Sequence, residues 1–492
     1  MIAREPSDLD VAIIGGGIFG INMAYRLQES IPDYTYSIFE SRGEIGGTWS
    51  LFKYPGIRSD SDLFTFGFNF DPWTEDHAIA SAPSILSYIK RVAAKHGIDQ
   101  HINFHHQVDT LNWSSEQQRW QIGTIVNGSE HKTYYARFIC MGTGYYDYKE
   151  PLQSIIPNIK DFKGQVIHPQ FWPEDLDYAD KRVVIIGSGA TAVTILPAMT
   201  DKAKSVTMLQ RSPGYFFAPP VIEPINIFLK KWLPAKWAHQ LIRFRMIILG
   251  WVFFTLCRLF PNWTRKVLHK ATAKELPPNM KMDPNFIPNY DPWQQRMCIT
   301  PGGDFFEALR TGKSDVVTDT IDTITETGIK LNSGKHLDAD IIITATGLKI
   351  QLGGNAKLSI DNVPTAIPDK FVWKGAMLQD IPNFAFVFGY TNASWTLGAD
   401  ATARLYTRII KNAKQQGVTS VTPTMDENED VQPVSYLNLN STYIKSAVER
   451  GVLPKGGSSG PWVPRKSYFT DYWTARWGDV SRGLRMQRVQ VD

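Results

Sequence analysis

Two glycine-rich loops, each lying between an apolar strand and a helix, constrain the fold of this chain more than any other feature. The first follows a short apolar strand at Leu9–Ile14 and precedes a helix that runs to about Glu29. It has the GxGxxG spacing, with glycines at Gly15, Gly17 and Gly20. A second strand, Tyr34–Phe39, completes a β-α-β unit. Such a unit binds the pyrophosphate of a dinucleotide, because the loop backbone approaches the phosphates and the helix N-terminus faces their charge.

A second unit of the same kind lies near the middle of the chain. Its first strand is Arg182–Ile186 and its second is Ser205–Leu209, with a helix from about Thr191 between them. The loop has the GxGxxA spacing, and we expect its contacts with a nucleotide from Gly187, Ser188, Gly189, Ala190 and Thr191. Two units predict an α/β protein with two Rossmann-like dinucleotide-binding domains.

The residue that follows the second strand of each unit distinguishes the two expected cofactors. Glu40 ends the strand of the first unit, and a carboxylate there accepts hydrogen bonds from ribose hydroxyls and repels a 2′-phosphate. This suits FAD or NAD. Arg211 follows the strand of the second unit, where a guanidinium would bind the 2′-phosphate of NADPH. An ordinary surface arginine is the alternative for Arg211, and a solvated strand end is the alternative for Glu40.

A chain of 492 residues is too long for one ordinary core. We predict a discontinuous FAD-binding domain from residues 1–148 and 352–492. Residues 149–213 and 293–351 form the predicted NADPH-binding domain, which begins with a linker at Lys149–Lys160. Residues 214–292, rich in proline and tryptophan, form a mainly helical insert.

Composition excludes several other classes of protein. The net charge of +4 gives no electrostatic case for nucleic acid binding. Three cysteines, Cys140, Cys257 and Cys298, cannot build a disulfide framework and have no metal-ligand spacing, so we expect no metal site. They fit a reducing compartment, and no signal peptide is evident, so we expect a cytoplasmic protein.

The insert contains the best membrane candidate, Met246–Cys257. Its 12 residues are fewer than the roughly 20 that a spanning helix needs. We therefore expect a buried or amphipathic helix and no transmembrane span. Weak surface attachment to a bilayer is the alternative, since Arg243, Arg245 and Arg258 flank the run.

Three further stretches carry a resemblance to a known family. They are the run Gly46–Asp60, the run Phe162–Pro173 and the strand end Ala345-Thr346-Gly347. The second resembles the FxGxxxHxxxWP signature of Baeyer–Villiger monooxygenases, through Phe162, Gly164, His168, Trp172 and Pro173. Nearly the whole chain is similar to this family. The resemblance to the branch of the mycobacterial ethionamide-activating monooxygenase lies in Gly144-Tyr145-Tyr146, Phe162–Pro173, Gly187–Thr194 and the tail Pro454–Tyr468.

The resemblance implies roles for individual residues. It implies that Asp60 lies near the flavin and that Arg296 is the catalytic arginine, oriented by Asp60 through a bidentate pair. Several relatives have lysine before that arginine, as an NADPH contact; Gln295 stands here. His168 resembles a device that couples domain movement to NADP binding, and a packed linker anchor is the alternative. The further FAD contacts that the resemblance implies are Thr48, Trp49, Tyr54, Val108, Trp395 and Thr396.

Several of these residues have simpler explanations. Arg296 could be a domain-interface arginine, and Asp60 a loop cap. Trp49 and Trp395 shield the flavin or belong to the core. Thr396 opens a helix aimed at the isoalloxazine ring, or has no such role.

The function that the resemblance implies is Baeyer–Villiger oxidation of a ketone to an ester or lactone with NADPH and O2, through an FAD C4a-peroxide. Thioethers are expected as a second substrate class. The first alternative is a flavin-containing monooxygenase that oxidises nitrogen or sulfur in amines, thioethers or thioamides. A pyridine-nucleotide reductase is disfavoured because the sequence has no C-x-x-C pair, and a non-enzymatic flavin-binding protein is a third alternative.

Overall fold

A computed structural model describes residues 8–426, 428–437 and 441–489, and it confirms an α/β fold with two Rossmann-type units and a helical insert. The α-helices within these residues are α1 Ile18–Ser30, α2 Thr48–Leu51, α3 Leu63–Phe66, α4 Ala82–Lys95, α5 Ala190–Thr200, α6 Pro224–Trp232, α7 Ala235–Leu259, α8 Pro261–Glu275, α9 Asp304–Arg310, α10 Trp395–Gln416, α11 Thr442–Glu449 and α12 Tyr468–Arg476.

The strands are β1 Asp8–Ile14, β2 Tyr36–Phe39, β3 Ile102–Asn103, β4 His106–Ser114, β5 Arg119–Val126, β6 Glu130–Met141, β7 Gln165–Ile167, β8 Arg182–Ile186, β9 Ser205–Gln210, β10 Phe216–Phe217, β11 Cys298–Ile299, β12 Ser314–Thr318, β13 Ile321–Thr325, β14 Gly328–Leu331, β15 His336–Asp338, β16 Ile341–Thr344, β17 Lys357–Ile360, β18 Val363–Pro364, β19 Val372–Trp373, β20 Met377–Leu378, β21 Phe384–Phe386, β22 Ser420–Pro423, β23 Pro433–Ser435, β24 Lys455–Gly457 and β25 Leu484–Gln487.

The first sheet contains a parallel core in the order β3-β2-β1-β6-β21. Strand β6 is long enough to serve two partners: its first half pairs antiparallel with β5, and its second half pairs with β1 and β21. Because the parallel strands all end at one edge, the loops that follow β1, β2 and β6 lie side by side.

The second sheet is wholly parallel, in the order β12-β9-β8-β16-β7. Its edge strand β7 belongs to the signature run Phe162–Pro173, which therefore forms part of this sheet. The apolar stretch that leads to Ala345-Thr346-Gly347 contains two strands, β15 and β16. The division falls at Asp340, whose carboxylate accepts hydrogen bonds from the backbone and side chain of Arg182.

The insert consists of α6, α7 and α8. The length of its apolar helix was underestimated from the sequence. The run Met246–Cys257 is only the second half of α7, which has 25 residues because Arg243, Arg245 and Arg258 are accommodated within the helix. By length and composition α7 could cross a membrane. Only 17% of its most apolar window is buried within the protein, so most of that window is exposed.

A buried ion pair joins the N-terminal unit to the C-terminal part of the chain. The Arg26 guanidinium, on α1, is 2% exposed and donates two hydrogen bonds to Asp400 on α10, at 2.9 and 2.7 Å. Arg404 binds the other oxygen of Asp400 at 2.8 Å. Burial raises the pKa of Asp400, but attraction by Arg26 and Arg404 outweighs it, so the pKa is lowered overall. The pair holds α10 against the first glycine-rich unit.

We predict that Arg26→Ala lowers the apparent free energy of unfolding by about 3–5 kcal/mol, because it leaves a buried carboxylate with half of its charge partners. Denaturant unfolding followed by tryptophan fluorescence measures the change. Lys163→Ala is the matched control, since it breaks an exposed pair with Glu326 at 3.8 Å and should cost less than about 1 kcal/mol. Equal effects of the two substitutions would contradict the assigned role of Arg26.

Candidate active site

A cavity of about 380 Å³ lies between the two dinucleotide units. Its wall brings together many residues that the sequence assigned to cofactor binding or catalysis. Those that line it are Gly15, Gly17, Glu40, Thr48, Trp49, Tyr54, Asp60, Val108, Ala190, Thr191, Arg296 and Trp395. The predicted residues that are not part of this wall are Gly20, Gly187, Ser188, Gly189, Arg211, Gln295, Thr396 and the five signature residues.

The first glycine of each loop is required by the backbone. Gly15 has φ +108°, and a Cβ there would lie 2.5 Å from the carbonyl oxygen of Gly142. Gly187 has φ +137°, and a Cβ there would lie 2.3 Å from the carbonyl oxygen of Ala345. Each loop therefore turns sharply against the strand beside it, whereas a Cβ at Gly189 would meet nothing within 4 Å. That open space leaves room for a phosphate at the N-terminus of α5.

Glu40 is buried at the end of β2 and fixed by backbone groups. Its Oε2 accepts a hydrogen bond from the Gly16 N–H at 2.7 Å, and its Oε1 accepts one from the Arg42 N–H at 2.9 Å. The carboxylate thus joins the loop after β1 to the loop after β2 and lines the cavity. This arrangement fits the expected binding of a ribose by Glu40.

Arg296 and Asp60 meet in the same cavity from distant parts of the chain. Arg296 lies two residues before the short strand β11, which pairs with β10, and Asp60 lies in the loop between α2 and α3. One contact joins them, Nη1 to Oδ2 at 3.4 Å, so the bidentate pair expected from the sequence is not formed. The geometry explains this, since both side chains face open space and Arg296 is 42% exposed. Asp60, and then Tyr443, Tyr145 and Tyr146, raise the pKa of Arg296 despite opposing desolvation.

Two adjacent tyrosines that sequence reasoning missed complete this end of the cavity. Tyr146 donates a hydrogen bond to the Tyr145 hydroxyl at 2.6 Å, and the Tyr145 ring stacks on Trp395 with centroids 4.6 Å apart. Burial raises the pKa of Tyr145 to about 12, so its hydroxyl is neutral near pH 7. Two sequence signals were present: the run Gly144-Tyr145-Tyr146 resembles a branch of the family, and it lies in the loop after β6, where cofactor-binding loops are expected.

The segment that leads to Asp60 bridges the two units. Tyr54 packs against the core of the second unit, and its hydroxyl contacts Thr191 on α5. Burial raises the pKa of Tyr54 to about 12. Arg58 forms an ion pair with Asp304 at the start of α9. The position of Asp60 therefore depends on contacts with both units.

The residues predicted to bind NADPH lie in or near the glycine-rich loop of the second unit. Arg211 is exposed at the end of β9 and forms no ion pair with any described residue, so its guanidinium is available to an anion. The Ser188 side chain donates to the Ser212 carbonyl at 3.1 Å, and the Ser188 carbonyl accepts from Cys298 at 3.4 Å. These contacts place the strand after Arg296 beside the second loop. Gln295 is half-buried next to Arg296.

The signature residues pack in and around the second sheet. Phe162 and Trp172 each pack in or against one of the two hydrophobic clusters that flank the second sheet. A Cβ at Gly164 would lie 2.3 Å from the Asp340 carbonyl oxygen. The His168 ring lies beside the backbone of Gly347; burial lowers its pKa, so it is neutral near pH 7. Its Nδ1 accepts from the Gln170 N–H at 3.2 Å, and no described residue hydrogen-bonds its Nε2. Pro173 accepts a backbone hydrogen bond in the turn that follows.

The N-terminus of α10 adjoins the cavity through Trp395, which lines its wall. Helix α10 begins at Trp395 without a side-chain cap, and within the described part of the chain the hydroxyls of Ser394 and Thr396 are buried without a hydrogen-bond partner. Buried polar groups are usually satisfied. Thr396 lies outside the wall of the cavity and Ser394 lines a second, smaller cavity, so these two hydroxyls do not place a ligand in the main cavity. Trp49 packs edge-to-face on Phe66 and also reaches the cavity, so it serves both core and wall. The aromatic wall that Trp49 and Trp395 form fits a flavin.

Comparison with known proteins identifies relatives of this chain. Residues 9–219 match the model of the FMO-like family, described as flavin-binding monooxygenase-like. The chain is 45% identical to the FAD-containing monooxygenase EthA of Mycolicibacterium smegmatis, over 96% of this chain and 95% of that protein. It is 43% identical to the probable FAD-binding monooxygenase AlmA of Acinetobacter baylyi, over 94% of this chain and 93% of that protein.

Solved structures share the fold at lower sequence identity. Cyclohexanone monooxygenase bound to ε-caprolactone matches with a TM-score of 0.72 and 19% identity, over 98% of this chain and all of that one. An oxidised steroid monooxygenase bound to NADP matches with a TM-score of 0.74 and 18% identity, with the same coverage.

We predict that Gly15→Ala abolishes most FAD binding, because the methyl group collides with the Gly142 carbonyl and displaces the loop. Flavin absorbance per protein after desalting measures this. Gly128→Ala is a matched control, since Gly128 also has positive φ, +81°, but a Cβ there meets nothing within 4 Å. It should cost only about 1–2 kcal/mol of backbone strain and retain its flavin. Similar flavin loss in both variants would show that general destabilisation, and not the loop, is responsible.

Proposed function

This chain belongs to the family of flavin-binding monooxygenase-like proteins, and on this basis we propose that it is an FAD-containing, NADPH-dependent Baeyer–Villiger monooxygenase. Its reaction would insert one atom of O2 beside the carbonyl of a ketone and give an ester or lactone. The observation that carries the proposal is the Arg296 guanidinium, held beside Asp60 in the cavity that both dinucleotide loops approach.

The two cofactors have separate binding residues. Gly15, Gly17 and Glu40 would hold FAD, and the loop Gly187–Thr191 with Arg211 would hold NADPH. When bound, NADPH supplies hydride to the flavin and the reduced flavin activates O2.

Arg296 would stabilise negative charge on the oxygen that attacks the carbonyl. A guanidinium keeps its proton at any relevant pH, and the raised pKa of Arg296 strengthens that property. Asp60 would orient the guanidinium from one side, while the stacked pair Tyr145 and Trp395 forms an apolar wall that limits water. A fixed positive charge in such a site acts before and during the attack without reorganisation of solvent.

Oxidation of sulfur or nitrogen is the second candidate. The observation that favours it is the single long contact between Arg296 and Asp60, which leaves the guanidinium less firmly oriented than a bidentate pair would. Transfer of oxygen to a thioether needs no attack on a carbonyl, and therefore depends less on that orientation.

A second, smaller cavity supports substrates with apolar tails. It lies between α7 and the N-terminal end of α10, and Met246, Ile247, Trp251, Phe254 and Leu397 contribute apolar side chains to it.

We propose that the enzyme works in the cytoplasm, since its three cysteines are buried and unpaired.

The test is product analysis with labelled oxygen. We expect purified yellow protein, NADPH and a long-chain methyl ketone to yield an ester that carries one atom from ¹⁸O2. A matched thioether, tested in parallel, would give a sulfoxide. Sulfoxide without any ester would favour the second candidate, and hydrogen peroxide as the sole product with every substrate would contradict both.

We predict that Arg296→Ala retains reduction of FAD by NADPH but loses ester formation by about 10²–10³-fold, the usual effect of removing one electrostatic donor. Stopped-flow flavin bleaching and product yield separate the two steps. Arg296→Lys keeps the charge but not the planar fork, and should recover part of the activity. Ester formation at the original rate in Arg296→Ala would remove Arg296 from the mechanism.

A further inference from the structure

The insert exposes far more apolar surface than the rest of the protein. Most of the large hydrophobic side chains that are exposed in the described residues lie between Phe217 and Ile287. Extended patches of this kind on a soluble chain indicate an interaction surface.

The apolar surface follows one face of α7 along its whole length. Trp237, Leu241, Phe244, Val252 and Leu259 are exposed and recur at spacings of three, four or whole turns, which places them on a single stripe. Trp237 is 66% exposed. Helix α6 has a similar stripe, consisting of Ile225, Phe228 and Trp232, and α8 begins with exposed Trp263 and Val267.

The opposite face of α7 is fixed to the protein. The buried Arg243 donates from Nη1 to the carbonyl oxygens of Phe64 and Gly67, both at 2.8 Å, and Ile242 and Cys257 are also buried. Because this face is held by the protein near both ends of the helix, α7 is placed to lie on a surface with its apolar stripe outward, and not to cross a bilayer.

Charge in the insert is strongly one-sided. Residues 224–274 contain ten Lys and Arg residues and no Asp or Glu, although the whole chain has a net charge of only +4. Six of the ten are exposed and form no ion pair with a described residue: Lys231, Lys236, Arg258, Lys266, Lys270 and Lys274. They lie next to the apolar stripes, and two of them adjoin Trp232 and Trp237.

The apolar stripes and the unpaired cations together indicate which partner binds this surface. Exposed tryptophans beside lysines suit the boundary between headgroups and acyl chains, and long lysine side chains can reach anionic headgroups. A second copy of the chain fits less well, because an isologous contact through this face would bring two sets of unpaired cations together.

We propose that helices α6, α7 and α8 form a docking surface for an anionic lipid bilayer, on which the enzyme binds peripherally. The apolar stripes enter the headgroup boundary, and the exposed lysines and Arg258 contact lipid phosphates. The proposal concerns binding alone and does not depend on which substrate is oxidised.

The test is flotation of the FAD-loaded protein with vesicles. We expect binding to phosphatidylcholine vesicles that contain phosphatidylglycerol, with a partition coefficient at least about tenfold above that for phosphatidylcholine alone. High salt should weaken the binding, because it screens the lysines from the headgroups. The double variant Trp237→Glu, Phe244→Glu should lose at least about tenfold in partition coefficient.

Val363→Glu is the control, since Val363 is also 66% exposed but lies on β18, at the edge of the first sheet. It should bind vesicles as the unchanged protein does. Retained flavin and unchanged NADPH oxidation by the double variant show that it is folded. Equal binding of both variants, or no binding by the unchanged protein, would overturn the proposal. A dimer that the double variant dissociates, with no vesicle binding, would identify a second copy as the occupant instead.

Discussion

The approach of Arg296 to Asp60 depends on almost every other feature of this fold. Asp60 ends a segment whose Tyr54 and Arg58 are held by the second dinucleotide unit, through Thr191 and Asp304. Arg296 precedes the bridge between β10 and β11, and that bridge lies against the second glycine loop through Cys298 and Ser188. The two charges therefore meet only when both units are folded and packed together. The guanidinium and the carboxylate are therefore paired only in this arrangement of the two units. Such a dependence suits a reaction in which one cofactor must reduce the other.

The parts of the site that the sequence predicted best are those encoded locally. Glu40 and Gly15 could be assigned because a strand, a glycine loop and a helix determine each other within a short stretch, and the structure places both against the cavity. Arg296 and Asp60 lie far apart in the sequence, so only resemblance to a family could pair them. Even then the expected bidentate geometry was wrong, because orientation depends on side-chain packing that no motif encodes. Tyr145 belongs to a run that resembles the family, but no role could be assigned to it from the sequence, because its stacking on Trp395 joins distant parts of the chain.

The insert shows a second reason why sequence reasoning was incomplete. The net charge of the chain averages a basic insert with an acidic remainder, so it concealed the charge of residues 224–274. The length of α7 was underestimated because an uninterrupted apolar run stops at Arg243 and Arg245. In the structure Arg243 is buried and binds two carbonyls, while Arg245 pairs with Glu223. A charged residue that finds such partners does not end a helix, but the partners come from elsewhere in the chain.

The same arginine couples the insert to the site. The carbonyls that Arg243 binds belong to α3 and the residue after it, and α3 begins three residues after Asp60, with Asp62 as its N-cap. The inner side of α7 also lines the small cavity beside Ser394 and Leu397, at the end of α10 that adjoins the cavity containing Asp60. If the outer side of α7 lies on a bilayer, then one helix separates lipid from the region next to Asp60. An apolar substrate dissolved in the bilayer would then have to pass only this helix, and would not need to cross water to reach the site.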